Sequence, residues 1–365
     1  MKRIFLLIGM CHLGLFFLFP TIGQAKPEVS GNNAILIDQN SGRVLFEKRA
    51  HERKPIASIT KVMTAIIAIE SGQMDESART SKKAIYTEGS SIYLKKGEKM
   101  TINDLVYGLM LRSGNDAAVS ISEHVGGSVE GFVYLMNEKA RWLGMTDTHF
   151  TNPHGLGDED HYSSAYDMAI LMRYAMENDE FKKITGAKSY KAENRVYAWQ
   201  NKNKLLTTYY DHCIGGKTGF TRESGRTLVT AAKKEDMELV AVTLNAGDDW
   251  RDHSSLYDWG FNHYSNKKLA EKGKHKYQTD DMTEPITGFL KDDFYLPLSK
   301  SEKVTKQTVI DAQAIKEKQS IIGMTTYYIN DVREKNIPIY SIEKEDNNES
   351  FLQLLNKSVK YIMGI

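Results

Sequence analysis

The chain has 365 residues, of which 41% are hydrophobic and 10% aromatic, a composition that supports packed cores and excludes a generally disordered protein. Its 48 basic and 47 acidic side chains leave a formal net charge of +1, so the overall charge gives no support to nucleic-acid binding. It has two cysteines, Cys11 and Cys213, which excludes a disulfide scaffold and a cysteine-based zinc cluster.

Residues 1–25 have the pattern of a secretory signal peptide. Two basic residues precede an apolar run from Ile4 to Phe19, and Gly23-Gln24-Ala25 supplies small residues for cleavage. The run is short for a membrane-spanning helix and is followed by a cleavage site. We therefore expect an exported protein whose mature chain keeps Cys213 as its single cysteine and forms no intramolecular disulfide.

A β-hairpin and a buried helix are predicted next. Ala34–Asp38 and Val44–Lys48 are apolar-rich runs joined by the turn residues Gln39-Asn40-Ser41-Gly42. A helix is predicted from about Pro55, which suits its first turn, to Gly72, which suits its end. Apolar residues on nearly all sides of this helix predict that it lies in the centre of a domain.

Helical spacing recurs from about Asp104 to Val125 and from about Val129 to Leu143. Leu228–Ala232 and Leu239–Leu244 are predicted strands, and a helix is predicted from about Trp250 to Tyr264. Strands thus open and close this segment while helices fill its middle. The pattern predicts an α+β fold in which helices flank an antiparallel sheet.

The last hundred residues differ in character. Short alternating runs between Lys267 and about Lys344 predict a separate small β domain. After a charged linker, apolar residues recur with helical spacing at Phe351, Leu355 and Val359, opposite polar and basic residues. This spacing fits both a helix packed on its own domain and a helix lying on a membrane surface. The linker favours the membrane.

Ser58-Ile59-Thr60-Lys61 opens the predicted buried helix. Positions three apart share a helix face, so the Lys61 amine can reach the Ser58 hydroxyl. A serine becomes a strong nucleophile when a base takes its proton, and a lysine is that base when burial or a second cation lowers its pKa. The same spacing at Ser265–Lys268 and Ser341–Lys344 lies in charged segments.

Two further short motifs carry groups that suit acyl transfer. Ser113-Gly114-Asn115 lies between two helical stretches and offers a hydroxyl for proton relay and an amide for a peptide carbonyl. Lys217-Thr218-Gly219 leads into the strand-rich part, where its side chains suit a carboxylate and its glycine allows an incoming peptide to approach. Each motif alone also fits a polar loop or a glycine-rich turn, so the prediction depends on their order in the chain.

The ordered set resembles the signature of penicillin-binding proteins and class A β-lactamases, although the middle motif there is Ser-Asp-Asn. With the export signal and the terminal helix, the chain resembles a low-molecular-mass penicillin-binding protein of the D-alanyl-D-alanine carboxypeptidase family, in which Ser-Gly-Asn is common. The likeness extends to Asn152–Leu156, His161–Ala169 and Trp259–Phe261. It implies a penicillin-binding-protein/β-lactamase-like transpeptidase domain, then a small all-β domain and a C-terminal amphipathic helix.

On this resemblance the chain divides into a signal peptide (1–25), a serine DD-peptidase catalytic domain (26–264), a small β-rich domain (265–344) and a linker with a membrane-associating helix (345–365). The exported protein is then expected at the outer face of the cytoplasmic membrane or in the cell wall. The expected partners are a peptidoglycan stem peptide that ends in D-Ala-D-Ala, β-lactams as covalent inhibitors, and the membrane surface. No cofactor, metal or nucleic acid is expected.

The resemblance also implies roles for the motif residues. Ser58 attacks the carbonyl between the two D-alanines, Lys61 is its base, and Ser113 passes a proton to the departing D-alanine. Substrate-binding roles fall to Asn115, Lys217, Thr218, Gly219 and Phe220. Lys217 is expected to stay cationic and so to lower the pKa of Lys61, and the backbone N–H groups of Ser58 and Phe220 are expected to form the oxyanion hole.

The resemblance also implies roles for three residues that lie outside the three motifs. Arg251 falls where such proteins carry an arginine near the substrate carboxylate, although a surface arginine on the closing helix is the common alternative. His154 and Asp167 resemble members of a loop that affects deacylation, although a loop histidine is more often structural or solvated.

Other functions use the same residues. A DD-endopeptidase or transpeptidase differs only in the bond cleaved or in the acceptor, which the motifs do not specify. A class A β-lactamase needs a glutamate that activates the deacylating water, and no Glu-x-x-Leu-Asn lies between Asn115 and Lys217. A wall-binding protein without enzymatic activity is the non-enzyme alternative, and the three intact motifs argue against it.

Overall fold

The computed structural model describes residues 26–278 and 284–342. The predicted signal peptide and the predicted C-terminal helix lie outside these residues. Within the described ranges, no helix combines the length and the apolar character that crossing a bilayer requires.

The described helices are α1 (Lys61–Glu70), α2 (Lys82–Ile85), α3 (Ile102–Arg112), α4 (Asn115–Val125), α5 (Val129–Leu143), α6 (Ala165–Ala175), α7 (Asp179–Thr185), α8 (Asp249–His263) and α9 (Ala312–Lys316). A 3-10 turn (Ala57–Thr60) precedes α1, and a short π-helical turn (Leu205–Tyr209) precedes strand β7.

The described strands are β1 (Asn33–Asp38), β2 (Val44–Lys48), β3 (Ser77–Arg79), β4 (Lys99–Thr101), β5 (Ser189–Tyr190), β6 (Trp199–Gln200), β7 (Cys213–Thr221), β8 (Gly225–Lys234), β9 (Met237–Leu244), β10 (Tyr264–Ala270), β11 (Gly273–Tyr277), β12 (Ile286–Leu290), β13 (Phe294–Ser299), β14 (Val304–Ile310), β15 (Ile321–Ile329) and β16 (Val332–Tyr340).

The main sheet is antiparallel, has the order β2-β1-β9-β8-β7, and is covered by helices on both faces. On β1, Ile35 and Ile37 join the helical core, whereas Ala34 and Leu36 join the core beneath α8. Successive side chains of a strand point to opposite faces, so a strand covered on both sides is apolar along its length. The predicted α+β arrangement, with its opening hairpin and its closing strands and helix, is confirmed.

The buried helix is confirmed, but its start differs from the prediction. α1 packs against α3, α4 and α6, and every residue from Lys61 to Ile69 is buried. Pro55 lies before the helix instead of in its first turn, because Ala57 has a φ of +48° that an α-helix does not allow. Ser58 therefore lies on a 3-10 turn. Gly72, with a φ of +74°, ends the helix as predicted.

The helical stretch predicted from Asp104 to Val125 is two helices. α3 ends at Arg112 because Ser113 takes a left-handed conformation, with a φ of +65°, and α4 begins at Asn115. Helix α6 was not predicted from the sequence, although a signal was present. Ser164 caps this helix by accepting a hydrogen bond from the backbone N–H of Asp167, a pattern that marks helix starts.

A second five-stranded sheet, β11-β12-β16-β15-β14, and the β10–β13 pair form the last part of the described chain. The expected all-β C-terminal region is confirmed; its strands are interrupted by the five-residue helix α9. α8 ends at His263, beside the predicted boundary at 264, and the division into domains stays a prediction. Arg43 joins the two parts through ion pairs with Glu302 and Glu334.

Candidate active site

The three motifs meet at the exposed edge of the main sheet. Lys217-Thr218-Gly219 lies in β7, which pairs with β8 on one side and has no strand on the other among the described residues. Gly219 packs against the 3-10 turn that carries Ser58, and Lys217 reaches Ser113. A cavity of about 470 Å³ opens here, which we call the Ser58 cavity. It is lined by Ser58, Ser90, Ser113, Lys202, Lys204, Thr218, Gly219, Phe220, Arg226, Asp249 and Trp250.

Lys61 is fully buried, and its amine lies among three oxygen atoms. Its Nζ is 2.9 Å from the Ser58 Oγ, 2.7 Å from the Asn115 Oδ1 and 2.8 Å from the backbone carbonyl of His154. The predicted contact between Lys61 and Ser58 is thus present, with the lysine at the first position of α1 and the serine on the turn before it.

Burial lowers the pKa of Lys61 well below its usual value, and the positive charges of Lys217 and Lys202 lower it further. Asp116 opposes this effect without cancelling it. Lys61 is therefore a neutral amine over a much wider pH range than an exposed lysine, and a neutral amine is the form that accepts a proton.

The hydrogen bonds of Lys61 also suit the neutral amine. The amide oxygen of Asn115 and the carbonyl of His154 can only accept hydrogen bonds, so they take the two N–H groups of a neutral –NH₂. In this neutral form the remaining lone pair can accept the Ser58 O–H, whereas the ammonium form donates to the Ser58 Oγ.

Lys217 contacts Ser113, which lines the cavity, and is also buried, with 1% of the residue exposed. Its Nζ donates to the Ser113 Oγ at 3.1 Å and to the Thr218 backbone carbonyl at 2.7 Å. Burial lowers the pKa of Lys217 to about 7, with a smaller contribution from Lys202. The cationic form of Lys217, expected from the sequence, therefore becomes less populated above neutral pH.

Asn115 links Lys61 to the segment that contains Glu88. Its Oδ1 accepts from Lys61, and its Nδ2 donates to the backbone carbonyl of Glu88 at 2.5 Å. An amide nitrogen has two N–H donors, so one remains beyond the Glu88 contact. Asn115 is 2% exposed, and its amide orientation is therefore set by these contacts.

Close backbone packing holds Ser58 in place. A Cβ on Gly155 would lie 1.9 Å from the carbonyl oxygen of Ala57, and a Cβ on Gly219 would lie 2.9 Å from the backbone nitrogen of Ser58. Gly155 also has a φ of +83°, a conformation that favours glycine. These glycines let the 155 loop and β7 approach the turn from both sides.

The other three residues implied by the resemblance, His154, Asp167 and Arg251, lie in different positions relative to Lys61 and the Ser58 cavity. The backbone carbonyl of His154 contacts Lys61, whereas its imidazole accepts from the Leu156 N–H, and burial next to Lys61 lowers the pKa of His154 to about 3. Asp167 accepts from the Thr148 hydroxyl and the Asp147 N–H, and it does not line the Ser58 cavity. Arg251 is exposed on α8 and does not line the cavity either.

Four charged residues that line the Ser58 cavity were not predicted from the sequence: Lys202, Lys204, Arg226 and Asp249. Lys202 donates to the Ser90 hydroxyl at 3.3 Å, and Arg226 forms an ion pair with Asp249 at 2.6 Å. None of them lies in a short motif. The one available signal was that Arg226 lies two residues before the predicted strand Leu228–Ala232.

Comparison with known proteins bears on the identity of this site. A model of the D-alanyl-D-alanine carboxypeptidase family matches residues 21–248. The D-alanyl-D-alanine carboxypeptidase DacF of Bacillus subtilis is 36% identical over 277 residues, which are 70% of this chain and 71% of that protein. The D-alanyl-D-alanine carboxypeptidase DacA of Haemophilus influenzae is 29% identical over 340 residues, 87% of this chain and 86% of that protein.

Among solved structures, penicillin binding protein 5 from Haemophilus influenzae is similar with a TM-score of 0.75 and 26% sequence identity. The likeness covers 87% of this chain and 98% of that one, so it includes the β-rich part as well as the main sheet. The predicted fold class is thereby confirmed for the described residues.

The packing of Gly155 on the serine turn predicts a large destabilisation by Gly155→Ala. The new methyl group cannot be placed without moving the Ala57 carbonyl, so the free energy of unfolding should fall by a further ~1–3 kcal/mol beyond the cost of a left-handed alanine. Urea denaturation measures the loss.

Gly144→Ala is the matched control, because Gly144 has a φ of +74° and a Cβ added to it would meet no atom within 4 Å. Gly144→Ala should lower the free energy of unfolding only by the cost of a left-handed alanine. Equal losses for the two variants would contradict the packing argument.

Proposed function

Because the chain belongs to the D-alanyl-D-alanine carboxypeptidase family, we propose that Ser58 is the nucleophile with which it removes the terminal D-alanine from peptidoglycan stem peptides. The protein is a serine-type peptidase of the penicillin-binding class. The observation that carries the residue assignment is the position of the buried Lys61 amine, 2.9 Å from the Ser58 Oγ.

In the acylation step, the Ser58 Oγ attacks the carbonyl carbon between the two D-alanines and Lys61 takes the hydroxyl proton. The lowered pKa of Lys61 and the acceptor-only neighbours of its amine support this role. The oxygen of the tetrahedral intermediate lies between the backbone N–H groups of Ser58 and Phe220. Donors of this kind typically contribute ~3–4 kcal/mol each to transition-state stabilisation.

Collapse of the intermediate breaks the C–N bond, and the departing amine needs a proton. Ser113 passes to it the proton that Lys61 took from Ser58, so Ser113 keeps its hydroxyl and Lys61 is neutral again; the contact with the Lys217 ammonium orients this hydroxyl. Water then attacks the ester carbonyl and releases Ser58. Lys61 is the one base within hydrogen-bond distance of the Ser58 Oγ among the described residues, so it also serves this step.

The substrate lies as an added strand along the free edge of β7. An extended peptide pairs there with the backbone around Thr218 and Phe220, as peptides do on other exposed sheet edges. Lys217 and Thr218 face its terminal carboxylate, and the remaining N–H of Asn115 binds its backbone. Gly219 keeps the strand close to Ser58. A β-lactam presents an amide and a carboxylate in a similar arrangement, so penicillin acylates Ser58.

Replacement of the nucleophile is the direct test of these roles. Ser58→Ala should lower the release of D-alanine from a peptide ending in D-Ala-D-Ala by about 10³-fold or more, because no acyl-enzyme forms. It should also abolish covalent labelling by penicillin. Both are measured on the purified chain, D-alanine by an enzymatic assay and the label by mass spectrometry.

Ser265→Ala is the matched control, since Ser265 opens another Ser-x-x-Lys sequence on an exposed strand and should leave both activities intact. D-alanine release that survives Ser58→Ala would refute the nucleophile assignment. Transfer to an added amine, seen as a new peptide product, would instead favour the transpeptidase alternative, and rapid turnover of the penicillin label would favour a β-lactamase.

The charges around Lys61 make the acylation rate depend on pH. Lys202→Met removes a positive charge and so raises the pKa of Lys61. Because acylation needs neutral Lys61, the rising limb of the acylation rate should move to higher pH. Stopped-flow acylation by benzylpenicillin across the pH range measures this limb.

Lys204→Met controls for the loss of a lysine from the same cavity, because Lys204 lines it without being among the charges that lower the pKa of Lys61. If the rising limb of the acylation rate does not move in Lys202→Met, or moves equally in both variants, the electrostatic coupling between Lys202 and Lys61 is contradicted.

We further propose that the protein is exported through residues 1–25 and held at the outer face of the cytoplasmic membrane by the helix predicted in 345–365. Both segments lie outside the described residues, so the amino-acid pattern carries this proposal. The relatives are a D-alanyl-D-alanine carboxypeptidase and a penicillin binding protein by their names, and an exported protein agrees with both.

Sedimentation with vesicles of phosphatidylcholine and phosphatidylglycerol tests the membrane contact. Leu355→Glu places a charge on the predicted apolar stripe and should reduce binding strongly, whereas Asn356→Glu places the same charge on the polar side and should reduce it much less. Equal binding by the two variants would contradict an amphipathic helix lying on the membrane.

A further inference from the structure

The two faces of the sheet β11-β12-β16-β15-β14 differ in what covers them. On the inner face, Ile322 and Ile339 pack with Ile315 of α9, and Tyr327 packs with Phe294 of β13. Because successive side chains of a strand alternate between faces, their neighbours in sequence point to the outer face. Six apolar side chains lie there, which we call the outer patch: Phe289, Val309, Ile321, Met324, Pro338 and Tyr340.

The strand register gathers the outer patch into one area. Its members form two cross-strand rows, Val309-Met324-Pro338 and Ile321-Tyr340-Phe289. The rows are adjacent, because Pro338 and Tyr340 are two residues apart on β16 and therefore ~7 Å apart along the strand. The six side chains are thus neighbours on one surface although they come from four strands.

The outer patch is open to solvent among the described residues. Val309 is 58% exposed and Ile321 42% exposed, and no member of the patch belongs to either core of the β-rich part. A sheet face that meets water usually carries polar side chains. A contiguous apolar area on such a face is typical of a surface that binds a partner.

Lysines border the outer patch on the side of β11. Lys274 is the cross-strand partner of Phe289, and Lys276 follows it on the same face of β11, where both lysines are exposed. Lys291 follows β12, and its amine lies 4.1 Å from the centre of the Tyr340 ring. The apolar area therefore has positive charge along one edge, which favours a partner that is both apolar and anionic.

The course of the chain points to the same partner. β16 ends at Tyr340, inside the outer patch, and Ile342, the last described residue, is 47% exposed. The linker and the amphipathic helix predicted in 345–365 therefore leave the protein from this patch. An anionic bilayer surface accepts apolar side chains at the boundary of its acyl chains and lysine amines at its phosphates.

We propose that the outer patch, with Lys274, Lys276 and Lys291, binds an anionic lipid surface, so that the β-rich part lies on the membrane by its outer sheet face. This inference rests on the proposed location of the chain at the membrane. It adds a contact by a folded part of the protein to the contact proposed for the terminal helix. Two contacts limit how the catalytic part can rotate above the bilayer.

A fluorescent label on the outer patch tests this contact directly. In residues 26–365, the exported form, the natural cysteine is the buried Cys213, so Val309→Cys supplies an exposed thiol for an environment-sensitive fluorophore. Vesicles of phosphatidylcholine and phosphatidylglycerol should shift its emission to shorter wavelength, because the label enters the apolar boundary. Gln313→Cys is the matched control, since Gln313 is exposed on α9, which packs on the inner face, and its label should keep its emission.

Two results of this experiment would overturn the inference. The labelled chain could sediment with the vesicles without a shift at position 309, in which case the helix makes the contact alone. The label could also be shielded before vesicles are added, in which case residues 343–365 or a second copy of the chain cover the patch.

The lysines are tested by the lipid dependence of binding. Lys274→Gln/Lys276→Gln should weaken binding to vesicles that contain phosphatidylglycerol by about tenfold or more, since each lysine near an anionic surface contributes about fivefold. Binding to phosphatidylcholine alone should change by less than about threefold, because that surface carries no net charge.

Lys306→Gln/Lys316→Gln removes the same charge from the other side of the sheet. Lys306 is opposite the inner residue Tyr327, and Lys316 is exposed on α9. This control should weaken binding to the anionic vesicles by less than about threefold. Equal losses in the two double variants would show an effect of overall charge and would overturn the inference.

D-alanine release from a soluble peptide separates this inference from the proposed function. All four variants should release D-alanine at the rate of the unaltered chain, because none of the changes lies near the Ser58 cavity. An unaltered chain that binds vesicles through the outer patch but releases no D-alanine would refute the proposed activity and leave this inference standing. An unaltered chain that releases D-alanine but does not bind vesicles would refute this inference and the membrane location together.

Discussion

Two buried lysines, Lys61 and Lys217, contact residues that line the Ser58 cavity, and the chemistry of the site depends on their burial and on their repulsion. Burial alone disfavours an ammonium ion, and a second ammonium nearby disfavours it further. The pKa of Lys61 is lowered well below its usual value, while the pKa of Lys217 is lowered to about 7. The charge of Lys217 is among the causes that lower the pKa of Lys61. The proposed mechanism accordingly uses Lys61 as the base and Lys217 as the cation, although the two side chains are of the same type.

The different roles of Lys61 and Lys217 depend on the tertiary structure, because the two lysines lie in different secondary-structure elements. Lys61 begins the helix that is buried on all sides, and Lys217 lies in the edge strand of the sheet. The serine turn between them contains Ala57 with a φ of +48°, and the second motif contains Ser113 with a φ of +65°. Left-handed conformations of such residues cost roughly 1–3 kcal/mol each and persist where packing imposes them. Gly155 and Gly219 provide that packing by allowing two backbones to contact the turn.

The rim of the cavity is built differently from its centre. The central residues contact one another directly, whereas Arg226 is held by Asp249 from the start of α8 and Lys202 reaches Ser90 from the segment before β7. These residues belong to no short motif, and they place charges and hydrogen-bond donors on the lining of the Ser58 cavity.

The sequence by itself determined the chemistry of the centre and most of the regular structure around it. Ser58 and Lys61 were predictable because helical spacing brings positions three apart together, and β1, β2, α5 and α8 were predictable because hydrophobic periodicity records which faces are buried. Ser113, Asn115 and Lys217 were assigned from a recognised order of motifs, since no local rule brings together residues so far apart in the chain. Only the tertiary structure decided that they meet, that His154 contributes a carbonyl rather than its ring, and that Arg226 instead of Arg251 lines the cavity. Those outcomes depend on long-range packing and on the register of β7 with β8, and neither is encoded in the local pattern of the chain.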